Sequence, residues 1–145
     1  MIKTFLLCLI TVFAFSCSKK LGPDESLREI VKLSISGKMS KDQLLSATTS
    51  PLRDELAALS EEDMNKYLKI EGASKDSFQI NLSNCEELVC YLTYTLKYDT
   101  SKDGVKTFGV ELKKMAELKK VDEKWLLADI TDIKTYYEAQ QPIEP

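Results

Sequence analysis

Residues 90–98 read Cys90-Tyr91-Leu92-Thr93-Tyr94-Thr95-Leu96-Lys97-Tyr98. Cys90, Leu92, Tyr94, Leu96 and Tyr98 alternate with Tyr91, Thr93, Thr95 and Lys97, and such a period of two marks a half-buried strand. The run ends at Ser101-Lys102-Asp103-Gly104, where Asp-Gly suits the two central positions of a tight hairpin, both of which need positive φ. Phe108, Val110 and Leu112 continue the alternation on the return. Upstream, Phe78, Ile80 and Leu82 alternate with Gln79, Asn81 and Ser83. Downstream, Val121 to Trp125 reads as a second tight reversal, followed by Leu126, Ala128 and Ile130, then Ile133. Four strands joined by short turns predict an antiparallel meander. The strands over 106–120 and 124–137 are long, which predicts a strong curl or a bulge.

Before Ser77 the period is that of a helix. Asp24 and Glu25 follow Pro23, and Leu27, Ile30, Val31 and Ser34 keep the i, i+3, i+4, i+7 spacing up to Gly37, a natural C-terminal stop. Ser40-Lys41-Asp42-Gln43 is a capping box, with Met39 and Leu44 placed as a hydrophobic staple. Ser50-Pro51 opens another helix with Leu52, Leu56 and Leu59 on one face. Ser60-Glu61-Glu62-Asp63 is a weaker box, with Leu59 and Met64 as its staple. One longer helix and two or three short ones, then strands, predict an α+β fold: N-terminal helices packed on one face of a curved four-stranded antiparallel meander. The domain spans 24–137, and 138–145, with two prolines, reads as a flexible tail.

Helices followed by a curled meander that closes on Lys119 to Asp129 (KKVDEKWLLAD) resemble small bacterial lipoproteins with a nuclear-transport-factor-2-like domain of unknown function. The matching residues are Val121 to Leu127, with Trp125 as the signature aromatic, and the N-terminal segment Ser26 to Val31. The turn lacks that family's common glycine. The resemblance implies a cone of curved sheet closed by helices, and it speaks to fold rather than to activity.

The N-terminus carries an export signal. Lys3 precedes Phe5 to Phe15, an eleven-residue run without charge. That is too short for a bilayer span, which needs about 20 residues, and suits a signal-peptide core. Ser16-Cys17 at its end resembles a lipobox, in which the cysteine thiolate is alkylated by a diacylglyceryl group and the signal is cut before it. Residues 1–16 are then signal peptide and 17–23 a tether, with Cys17 the lipidation site. Ser18 after that cysteine resembles outer-membrane sorting. Plain cleavage after Ser16 and an uncleaved anchor are the alternatives.

Four cysteines are present. Cys8 leaves with the signal and Cys17 goes to lipid. Cys85 and Cys90 remain, bracketing four residues between two strand-like runs. In an exported protein a structural disulfide across this turn is the default reading, with free thiols as the alternative. A redox role would call for C-x-x-C spacing, and zinc for more ligands than two thiolates.

The chain of 145 residues contains no histidine, which removes the Ser-His-Asp triad, the Cys-His dyad and histidine metal ligands. Its net charge of −3 argues against nucleic acid, which needs a basic footprint. No phosphate loop or carboxylate cluster with metal spacing is present, so no cofactor or metal is implied. The lysines at 113, 114, 119, 120 and 124 alternate with acids and read as a solvated face. Tyr94 and Tyr98 share the apolar parity of their strand, and with Phe78 and Trp125 they are the candidate pocket residues. No strand acid clearly joins them. The expectation is a non-catalytic, lipid-anchored protein of the bacterial cell envelope, held at the outer membrane. It would bind a partner protein or a small apolar ligand. The alternatives are a pocket enzyme of the ketosteroid-isomerase type, using a carboxylate and Tyr, and a secreted soluble effector without lipid.

Overall fold

The computed structural model of the chain describes residues 20–68 and 73–139. The expected signal peptide over 1–16, with Cys8, the expected lipidation site Cys17 and residues 140–145 of the expected tail lie outside the described residues. α1 (Pro23–Ile35) starts where Pro23 takes a first-turn position and the Glu25 carboxylate accepts from the Gly22 backbone N–H at 3.2 Å. It ends at Gly37, whose φ of 65° suits a residue without Cβ. There Lys38 N–H reaches Leu33 C=O and Gly37 N–H reaches Ser34 C=O, so two carbonyls of the last turn are satisfied.

α2 (Lys41–Ser46) carries the expected capping box in full. Gln43 N–H donates to Ser40 Oγ at 3.2 Å, Ser40 N–H donates to Gln43 Oε1 at 2.9 Å, and Met39 and Leu44 are both buried. α3 (Leu52–Ala58) buries Leu52 and Leu56. α4 (Glu61–Leu68) has half a box. Asp63 N–H donates to Ser60 Oγ, but the Asp63 carboxylate accepts a hydrogen bond from that same hydroxyl at 2.7 Å instead of from the cap backbone. Asp is one methylene shorter than the Glu that normally bonds the cap backbone.

β1 (Ala73–Cys85), β2 (Val89–Lys102), β3 (Val105–Val121) and β4 (Lys124–Ala139) form one antiparallel sheet in sequence order. The architecture is α+β, four helices followed by an open four-stranded antiparallel meander. Both later hairpins are two-residue turns with positive φ throughout, at Asp103 and Gly104 and at Asp122 and Glu123. β4 continues to Ala139, which pairs with Phe108, so the strand outruns the domain end expected at 137.

Bulges change which side chains face inward. On β1 the register slips between Ile80 and Leu82, so Phe78 is buried while Leu82 is 63% exposed. Strict alternation places Leu82 inside. Ser83 takes the inward position instead, and its hydroxyl donates to the Asp24 carboxylate at the start of α1. The extra residue, Asn81, accepts from the Thr95 hydroxyl at 2.7 Å. β4 carries two slips, opposite Glu117/Leu118 and opposite Lys113/Lys114. The first seats Leu127 in the core, where alternation from Ala128 and Ile130 selects Leu126. These are the bulges that the length of β3 and β4 predicts.

The core joins Leu27, Ile30 and Val31 of α1 to the inner residues of the sheet. The loop before α3 is sewn to the outer edge of β4: Leu127 N–H donates to Ala47 C=O at 3.0 Å, and Thr49 N–H donates to Leu127 C=O at 2.8 Å. At the β1–β2 turn the Cys85 and Cys90 sulfurs are at bonding distance. Among the described residues no helix is long and apolar enough to cross a membrane.

Candidate functional site

The helix-facing side of the sheet is a set of cross-strand rows. Cys90, Leu118 and Leu127 form one, and Leu92, Ala116 and Ile130 the next. The third row breaks the apolar pattern with Tyr94, Lys114 and Asp132. Leu96, Leu112 and Thr135 follow, then Tyr98, Val110 and Tyr137.

Over the later rows the helices stand off the sheet and leave a cleft of about 1050 Å³. Leu27, Ile30 and Val31 of α1 and Leu44 of α2 form one wall, and Leu96, Leu112 and Ile130 the other. Polar side chains complete the lining, Glu62, Asn65 and Lys66 from α4 and Asp99, Thr100 and Ser101 from β2, so this is a mixed, partly open cleft whose volume is at the upper end of small-molecule sites. Its charged side chains are tied in pairs. Lys114 meets Asp132 at 2.9 Å, Lys66 meets Glu62 at 2.9 Å, and Asp99 meets Lys106 at 2.6 Å.

Tyr94 lies at the centre of this wall and is only 4% exposed. Its ring packs on Phe78 with centroids 5.4 Å apart, and the Arg28 guanidinium covers the Phe78 ring. Burial pushes the Tyr94 phenol well above its ordinary value, and Tyr67 and Asp132 push it the same way. Tyr67 of α4 also lines the cleft, raised first by burial and then by Glu55, Asp129 and Asp132. Tyr98 is raised by burial and by Tyr137. All three phenols therefore stay protonated at neutral pH and can donate a hydrogen bond.

Of the four candidate pocket residues, Tyr94 and Tyr98 line the cleft. Phe78 sits behind Tyr94 in the core, and Trp125 is half-buried against the core beside the β3–β4 turn, where it pairs with Lys120. Sequence reasoning missed Lys114, Asp132 and Tyr67. Lys114 shares the parity of Leu112 and Ala116, a signal that its neighbour Lys113 obscures. Asp132 comes into line with Tyr94 through the bulge at Ile133, and no sequence period shows that. Glu111 and Glu117 take the outer parity and pair with Lys97 at 3.0 Å and Lys119 at 3.4 Å. Among the described residues no group of three or more Cys, Asp or Glu could hold a metal ion.

No family model matches the chain, and no curated protein matches it. Among solved structures it is similar to that of a SEC-C motif containing protein from Rhodopseudomonas palustris, with a TM-score of 0.56 and 12% identity. The match covers 77% of this chain and 79% of that one. At this identity the likeness is one of fold, a small α+β domain with a four-stranded antiparallel sheet.

Proposed function

We propose that this chain is a lipid-anchored protein of the bacterial cell envelope, sorted to the outer membrane, whose nuclear-transport-factor-2-like cone binds a small apolar ligand without transforming it. The observation that carries the binding role is the cleft between α1, α2, α4 and the sheet, which offers Ile30, Leu112 and Ile130 as apolar contact and ties its charged side chains in ion pairs. A ketosteroid-isomerase type of enzyme calls for a buried carboxylate beside the phenol. The acid beside Tyr94 is Asp132, whose side chain is 72% exposed and held by Lys114. That favours binding over catalysis. The anchor rests on the charge-free run Phe5 to Phe15 and on Ser16-Cys17 at its end, and a mature chain that begins at an unacylated Cys17 overturns it.

The cleft is tested with Nile red, a neutral apolar dye. Saturable one-site binding to the wild type is expected. Leu112→Trp, which fills the cleft from the β3 side, is expected to weaken that binding more than about tenfold while leaving the far-ultraviolet circular dichroism unchanged. Equal binding by both proteins overturns the reading. A protein partner is a second reading, favoured by Phe108, Tyr136 and Tyr137, which stand exposed at the free end of the sheet.

A further inference from the structure

We propose that the ligand of this cleft is uncharged and apolar and carries one carbonyl-type acceptor, which it seats on the Tyr94 hydroxyl; this rests on the cleft being a binding site. Tyr94 is 96% buried by its 4% exposure, and its hydroxyl makes no hydrogen bond among the described residues. No buried side-chain oxygen or nitrogen among those residues lacks a partner, so this hydroxyl opens onto the cleft that Tyr94 lines. A phenol that opens onto the cavity and has no hydrogen-bond partner among the described residues is a placed donor, although Lys114 and Asp132 share its row. Ile30, Leu112 and Ile130, which line the same cleft and keep some exposed surface, supply contact for a hydrocarbon body.

Charge decides the rest. The cleft is lined by three carboxylates, Glu62, Asp99 and Asp132, and by two lysines, Lys66 and Lys114. Both lysines are already bridged to carboxylates at 2.9 Å. An anionic head would have to displace one of those carboxylates. A cationic head would have to displace a lysine from Glu62, Asp99 or Asp132, each already ion-paired. A ketone, ester or amide oxygen needs neither change, and it accepts from a phenol that burial and Asp132 keep protonated.

The test is a matched series displacing Nile red from the full chain: dodecane, 2-dodecanone, dodecanoate and dodecylammonium. The wild type is expected to bind the ketone about tenfold more tightly than the alkane, near 1.4 kcal/mol, and more tightly than either charged analogue. Tyr94→Phe is expected to bring ketone affinity down to alkane affinity while leaving the alkane unchanged. Because the hydroxyl has no hydrogen-bond partner among the described residues, this variant is expected to fold as the wild type does. Tyr91→Phe, on the outer face of the same strand and outside the cleft, is expected to keep the tenfold preference. A ketone preference that survives Tyr94→Phe, or tighter binding of dodecanoate, overturns the proposal and leaves the cleft as a binding site. Failure of every member of the series to bind overturns both.

Discussion

Tyr94 is the residue on which the site turns. Its place in the alternation of residues 90–98 is enough to point it inward. That Asp132 falls in the same cross-strand row is not readable, because a single extra residue, Ile133, sets the β4 register there. The phenol also gives a pH signature. Its folded value lies above the ordinary 10.0, so the folded state holds its proton at pH values where the unfolded state has released it. Its contribution to stability is therefore complete below pH 10 and is lost as pH rises above it. Urea unfolding of the wild type is expected to weaken above pH 10 by up to about 1.4 kcal/mol per pH unit from this group. Tyr94→Phe is expected to remove that part of the slope and to match the wild type at pH 8. Parallel alkaline slopes for the two proteins would show that Tyr94 is not buried as described.

At the scale of elements, local chemistry is legible wherever a few neighbouring residues determine it. The Ser40–Gln43 box, the Met39–Leu44 staple, the Gly37 stop and the Asp103-Gly104 turn all follow from short motifs. The inward faces of β1 and β4 do not, because bulges at Asn81 and Ala128 shift parity partway along each strand. Leu82 therefore lies outside and Leu127 inside. The β1–β2 turn is closed by Cys85 and Cys90, and Cys90 is fully buried. A loop this short restricts the unfolded chain only modestly, by about 2 kcal/mol. Cys85→Ala with Cys90→Ala is expected to lower the unfolding free energy in urea by that amount, seen as a lower midpoint. An unchanged midpoint would mean that the pair contributes nothing to stability.

At the scale of the molecule, the switch from a 3.6-residue to a 2-residue period at Ser77 is enough to predict helices layered on an antiparallel meander. The cleft is not legible in the same way. It depends on where short helices end above the sheet, which tertiary packing decides rather than any motif. The missing histidine and the bridged Cys85 and Cys90 narrow the chemistry, and the ion-paired cleft is the ground of the binding proposal. Native mass spectrometry of the protein released from its host membranes tests this most directly. The expected result is a chain starting at an acylated Cys17 that carries one small apolar molecule, lost in Leu112→Trp. An unacylated chain with an empty cleft and a stoichiometric protein partner would contradict it.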